Sequence, residues 1–256
     1  MARIFITGST DGLGRAAAEQ LIAGGHDVVL HARSEARAAE ISEFAGKAFG
    51  LVVGDLASAG DNAKVADQVN RLGRMDAVIH NAGVYLQSQR GGTPEGHAVT
   101  FAVNTLAPYQ LTALMARPGR LIYLSSGLHR GGGGRPRDLD WTERAWDAAR
   151  AYAESKLHVV ALAFALSRRW PDVISQAVDP GWVRTRMGGP AAPVDLPTGA
   201  RTQAWLASSD DPAAKVSGRY WHHMRQAEAA PEASDTQYQD ALLGQLAEIT
   251  GVALPA

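Results

Sequence analysis

The chain has 256 residues, of which 46% are hydrophobic and 20% charged, with a formal net charge of −1 and no cysteine. That length and composition suit one globular domain with a sizeable core and argue against disorder. The balanced charge offers no field for nucleic acid or anionic lipid, and the missing cysteine excludes disulfide scaffolds, thiolate metal sites and a thiol nucleophile. In chain order, Ile4-Phe5-Ile6 predicts a buried strand, and residues 13–24 an Ala-rich helix stopped by Gly24-Gly25. Further strands are predicted at 28–30, 51–53, 77–79, 121–124 and 173–178. Helices are predicted at 35–45, 62–72, 98–116, 151–167, 200–207 and 237–249. Apolar runs without polar alternation suit strands buried on both faces. Repeated strand–helix alternation then predicts a single α/β domain, a doubly wound parallel sheet of about seven strands with helices on both faces. No linker or internal repeat interrupts it.

The first strand runs into Thr7-Gly8-Ser9-Thr10-Asp11-Gly12-Leu13-Gly14, where a helix opens. Glycines there let the backbone turn sharply and let a pyrophosphate approach the amides at the helix N-terminus. The spacing Gly-x-x-x-Gly-x-Gly resembles the TGxxxGxG signature of the short-chain dehydrogenase/reductase family, whose fold is a single Rossmann domain. The resemblance extends to Asn81-Ala82-Gly83 after the fourth strand and to Asp55-Leu56 after the third, where the family places an acid against the adenine. The second strand ends in His31-Ala32-Arg33-Ser34. An NAD enzyme commonly carries an acid there for the ribose 2′-hydroxyl, whereas Arg33, with the hydroxyl of Ser34, suits a 2′-phosphate. NADP is therefore the expected cofactor, with NAD less favoured. Asp11 stands where many NADP-using members carry a basic residue.

Tyr152-Ala-Glu-Ser-Lys156 begins a helical stretch, and residues four apart share a helix face. With only four lysines in the chain, that pairing is informative. Hydride reduction of a carbonyl leaves negative charge on oxygen, and a proton must reach it. A phenol of pKa ~10 is made more acidic by a nearby cation, so Lys156 is expected to lower the pKa of Tyr152. A hydroxyl from Ser125-Ser126, at the end of the fifth strand, could hold the carbonyl oxygen. The resemblance implies that Ser126 is the catalytic serine, with Ser125 the fallback, and that Asn104 anchors a proton-relay water near the lysine. It also implies that Pro180 and Gly181, with the Val183 backbone and Thr185 hydroxyl, contact the nicotinamide carboxamide, and that Lys156 bonds its ribose.

Ser126 and Tyr152 lie 26 positions apart, wider than in many family members. That insert, with Ser-Lys-Leu after the tyrosine and Pro-Gly-Trp-Val, resembles the branch of retinol dehydrogenases and carbonyl reductases. Tyr85, Leu86, His129, Trp182 and Met187 would wall a bulky, largely apolar ketone, aldehyde or secondary alcohol. Segments 127–150 and 182–199 are expected to bind substrate and to act as a lid that excludes water. His222-His223 lacks a third ligand at metal spacing, which favours packing, and no metal is expected. An epimerase or lyase on a sugar nucleotide, using the same Tyr–Lys pair, and a redox-sensing regulator without turnover are the alternatives. The helix at 151–167 resembles the family's dimer helix, so a homodimer is possible. The longest apolar run, 159–166, is too short to span a bilayer and the first residues carry no export signal, which makes a cytoplasmic location the expectation.

Overall fold

In the computed structural model, which describes residues 1–85, 87–134 and 136–255, the apolar runs pair as parallel strands. They are β1 (Arg3–Ile6), β2 (Asp27–Ala32), β3 (Gly50–Val53), β4 (Ala77–His80), β5 (Arg120–Leu124), β6 (Ile174–Asp179) and β7 (Arg219–His222). An eighth strand, β8 (Arg225–Ala227), returns antiparallel to β7. The order is β3-β2-β1-β4-β5-β6-β7-β8, so the sheet reverses direction of growth between β1 and β4. Beyond the six strands placed from sequence the sheet adds β7 and β8, making eight rather than about seven; β8 is too short and polar to announce itself. Its turn, His223-Met224, also lacks the Asn or Gly that usually marks a two-residue hairpin.

The helices start where side chains satisfy their first amides. Asp11 caps α1 (Gly12–Ala23), Ser34 caps α2 (Glu35–Glu40) and Ser58 caps α4 (Ala59–Arg71); the single turn α3 (Ser42–Ala45) follows α2 directly. The stretch read as one helix over 98–116 is broken: α5 (Val99–Phe101) leads into a π turn (Ala102–Leu106) and then α6 (Ala107–Leu114). Asp147 caps α7 (Ala148–Arg169), Asp195 caps α8 (Leu196–Ser208), and α9 (Pro231–Ser234) precedes α10 (Thr236–Thr250), which Asp235 caps. One core, including Val78, Leu121, Leu157 and Leu242, lies between the sheet and α4, α6, α7 and α10. The other, including Ile6, Ala17, Ile122 and Ala204, lies beneath α1 and α8. Alpha-7 is buried along nearly all of 151–166, and α9 and α10 of the same chain pack on it. The helix face expected to meet a second copy is thus covered from within.

Candidate active site

Each loop marked by the sequence leaves the carboxyl end of a strand near the β1–β4 reversal, the place where open parallel sheets bind ligands. The glycine turn is shaped for close approach. Gly8 and Gly12 take left-handed φ of 62° and 54°. A Cβ on Gly14 would stand 2.3 Å from the Gly8 carbonyl oxygen and 2.5 Å from Asn81 Nδ2, so only bare backbone fits. Asn81 Nδ2 donates to the carbonyls of Thr7 and Gly8, and Thr7 Oγ1 accepts from the amides of Asn81 and Ala82 at 2.9 and 3.0 Å. The Asn81-Ala82-Gly83 loop is thereby clamped to the turn.

His31 completes the clamp, a role its sequence position inside an apolar strand only hints at. Its Nδ1 accepts from the Gly8 amide at 3.0 Å and its Nε2 donates to the Gly54 carbonyl at 2.9 Å. Burial drives its pKa down to about 4, which keeps the ring neutral. Ser9 Oγ accepts from the His31 amide. Arg33 is exposed at the end of β2, and Ser34 spends its hydroxyl on the Arg37 amide as the α2 cap. Arg37, which the sequence reading passed over, donates from Nη2 to Thr10 Oγ1 at 3.4 Å. Its place four residues after Arg33 was the available signal. Asp55 is exposed and binds the Ala57 amide, beside buried Leu56.

Asn104 sits in the π turn. Its Oδ1 accepts from the Val84 amide at 2.8 Å, and its Nδ2 donates to the Val84 carbonyl and to Ser155 Oγ. A Cβ on Gly83 would lie 3.3 Å from both Asn104 Oδ1 and Lys156 Nζ, so the loop after β4 rests on these two groups. Lys156 is buried and donates from Nζ to the Leu124 carbonyl at 2.9 Å. Its Nζ lies 5.6 Å from the centroid of the Tyr152 ring. The two serines separate cleanly. Ser125 Oγ donates to the Lys156 carbonyl, while Ser126 Oγ accepts from the Leu128 amide and lies close enough to the Tyr152 phenol to oppose the rise in its pKa.

The expected acidified phenol is not what this arrangement gives. Burial pushes Tyr152 up to about 12, against the opposing effect of Ser126, and burial lowers Lys156 to about 8. Desolvation disfavours both charged forms, and the ammonium is aimed at a backbone carbonyl.

Beyond β6, Asp179 Oδ1 accepts from the amide of Gly181, which follows buried Pro180. Val183 forms a single bridge with Val194, and a Cβ on Gly199 would meet Val183 at 2.6 Å and Leu13 at 3.0 Å. Thr185 lies 3.6 Å from the Cβ position of Gly12. This loop therefore meets the glycine turn. Tyr85 packs edge-on against Tyr152 with centroids 4.5 Å apart, while Trp182 and Met187 stand exposed on the loop. Leu86 lies outside the described residues. His129 is elsewhere than expected. It is fully buried, its Nδ1 donates to the Ser126 carbonyl at 2.7 Å and its Nε2 accepts from the Ala230 amide at 2.9 Å. With both nitrogens committed inside the protein, it cannot line a substrate cleft; it pins the serine loop to the C-terminal segment.

A bare-backbone glycine cradle beside half-buried Ser126 and buried Tyr152 and Lys156, on one α/β domain, is the frame of an oxidoreductase. The short chain dehydrogenase family matches residues 2–134. An uncharacterized oxidoreductase of Emericella nidulans is 43% identical over 100% of this chain and 99% of its own length. Retinol dehydrogenase 13 of Homo sapiens is 30% identical over 99% of this chain and 86% of its own. A crystal structure of a protein from Mycobacterium paratuberculosis superposes with a TM-score of 0.83 at 24% identity, covering 100% of this chain and 96% of that one. The chain belongs to the short-chain dehydrogenase/reductase family. Among the described residues, no helix is long and apolar enough to cross a membrane.

Proposed function

We propose that the protein moves a hydride between NADP(H) and the carbonyl or secondary alcohol of a bulky, largely apolar substrate, with Tyr152 as general acid and base. The observation that carries this reading is the meeting of Ser126, Tyr152, Lys156 and Asn104 beside the glycine cradle. The bound nicotinamide supplies or accepts the hydride. Gly8, Ser9, Thr10, Gly12, Leu13 and Gly14 receive the pyrophosphate; Asp55 and Leu56 flank the adenine. Arg33, joined by Arg37, takes the 2′-phosphate. Asn81, Ala82 and Gly83 line the floor, and Pro180, Gly181, Val183 and Thr185 face the carboxamide.

Ser126 holds the substrate oxygen, and the Tyr152 phenol gives it a proton in reduction or takes one in oxidation. Burial keeps that phenol protonated through the neutral range, which is the state a reductase needs. The ammonium of Lys156 stabilises the phenolate as the proton leaves. Asn104 ties the loop after β4 to α7 and so fixes Lys156 against it. Tyr85, Trp182 and Met187 form the apolar wall.

The test is oxidation of NADPH over a panel of carbonyls, followed at the nicotinamide absorbance. Tyr152→Phe is expected to lower kcat about 10³-fold with little change in the Kd for NADPH, because only the proton donor is lost. A variant that keeps most of its activity overturns the mechanism. Arg33→Asp should move preference toward NADH; unchanged discrimination would place the phosphate site elsewhere. Turnover confined to small, highly charged acids would reject the apolar wall.

A further inference from the structure

The π turn meets α7 at neighbouring points. Asn104 Nδ2 donates to Ser155 Oγ at 3.0 Å, and one turn further along α7 Thr105 Oγ1 and His158 Nδ1 share a hydrogen bond of 3.3 Å. All four residues are between 1% and 3% exposed. Such turns are frequent at functional sites, because the extra residue redirects side chains relative to a regular helix. Only the first of these contacts leads back to the reacting groups.

Ser155 lies three residues after Tyr152 and just before Lys156. Its hydroxyl donates to the Tyr152 carbonyl at 2.7 Å, the local back-bond open to a serine inside a helix. That commits its one proton, so toward Asn104 it can only accept. The polarity orders the Asn104 amide: nitrogen toward Ser155 and the Val84 carbonyl, oxygen on the Val84 amide at 2.8 Å. Turned over, the amide would set its oxygen against the serine lone pair and its nitrogen against the Val84 N–H. Tyr85 follows Val84 and packs on the Tyr152 ring. The contacts therefore close a circuit, from the Tyr152 carbonyl through Ser155, Asn104, Val84 and Tyr85 back to the Tyr152 ring.

We propose that Ser155 is a positioning residue: through Asn104 and Val84 it seats Tyr85 against the Tyr152 ring and so holds the phenol in line with the reacting carbonyl. The inference rests on the reductase reading above and adds to it a buried residue that acts only through its neighbours. Proton transfer needs the donor held to a fraction of an ångström, and a displacement of about 1 Å can cost on the order of 100-fold in rate. Ser155→Ala removes the acceptor, leaves one Asn104 N–H buried without a partner and opens the circuit. Alanine is the best helix former, so α7 itself is not weakened by the change. Thr105→Val is the control, since the hydrogen bond it removes lies outside the circuit.

The test measures kcat and KM with NADPH for the carbonyl of the panel above that the wild type turns over fastest. It compares the wild type, Ser155→Ala, Thr105→Val, Asn104→Ala and the Ser155→Ala/Asn104→Ala double variant. Melting temperature and the Kd for NADPH verify that each is folded. Ser155→Ala should lower kcat about 10-fold and leave KM within about 2-fold, the mark of an interaction that counts in the transition state. In the Asn104→Ala background the same change should cost less than about 2-fold more, because the circuit is already open. Thr105→Val should lower the melting temperature and leave kcat within about 2-fold of wild type. An unchanged kcat in Ser155→Ala, losses that multiply in the double variant, or a kcat loss as large in Thr105→Val each overturn the inference and leave the reductase reading standing. If the wild type reduces no carbonyl at all, that reading fails and the inference falls with it.

Discussion

The insert at 127–150 follows β5 and the loop at 182–195 follows β6, both rich in glycine or proline, and they are held very differently. In the insert, Arg144 bridges Asp138 and Glu154, bonding the latter through two nitrogens at 2.8 and 2.5 Å, and its guanidinium lies 3.8 Å from the centroid of Trp141. Asp140 binds Arg90, His97 and the Ala98 amide. Trp146 packs on Trp141 and donates to the Gln87 carbonyl, which steadies the chain that carries Tyr85. The loop at 182–195 mostly bonds itself: Trp182 Nε1 to the Gly188 carbonyl, the Gly188 amide to Thr185 Oγ1, Val183 to Val194. Its one ion pair to the rest of the chain in the described structure, Arg186 to Asp11 at 3.7 Å, is on the surface. Partner groups, more than glycine content, decide which segment can move. From these contacts we infer that the insert stands as a wall and that closure over a ligand falls to the 182–195 loop as a flap, a division of the shared lid expected from composition.

Glu154 gives the hardest test of the wall. Its side chain is 10% exposed and meets both Arg144 and Arg150. Glu154→Ala leaves Arg144 without its closest carboxylate, and truncating one partner of a buried pair costs about 3 kcal/mol or more. Chemical denaturation should show that loss. A change under about 0.5 kcal/mol, the range of an ordinary surface substitution, would mean that the insert is not fastened there.

A smaller effect separates the two halves by pH. His31 clamps the glycine turn and His158 lies on α7 behind the insert, and burial lowers their pKa values to about 4 and about 3. An unfolded histidine titrates near 6.5, so between that value and the folded pKa the unfolded state binds the extra proton. Stability is full above pH 6.5 and falls as the pH drops toward 4, by up to about 1.4 kcal/mol per pH unit for each such histidine. His31→Asn should flatten the upper part of this acid limb in a pH series of melting curves. An unaltered slope would remove His31 as its source.

The nucleotide half was legible because its signals are local. The glycine spacing, the Asn81-Ala82-Gly83 loop and the Tyr152–Lys156 pair each sit within a few residues, and the structure brings them together. What stayed hidden was non-local pairing. His129 finds Ala230 and His222 finds Asp179 across gaps of 101 and 43 positions, which no spacing rule spans. The π turn at Asn104 was hidden for another reason, since its register shift leaves the apolar pattern of 98–116 intact. The phenol's upward shift comes first from burial, and neither that burial nor the turn of Lys156 toward the Leu124 carbonyl is written in the motif.

The smallest expected effect probes the flap itself. Arg186 is 86% exposed, and an ion pair in that setting is worth about 0–1 kcal/mol, so Arg186→Ala should barely move the melting temperature. Asp11 nevertheless caps α1 at the point where a pyrophosphate would arrive, accepting from the Gly12 amide at 2.7 Å. An incoming anion competes with that carboxylate for the helix N-terminus and offers Arg186 a stronger partner. Limited proteolysis should therefore cut within 182–195 in the free protein and be suppressed by NADPH, while 127–150 resists in both states. In Arg186→Ala the protection should weaken by a few-fold at equal cofactor occupancy, and the resistance of 127–150 should be unaffected. Equal cutting of both segments with and without NADPH would erase the distinction between wall and flap.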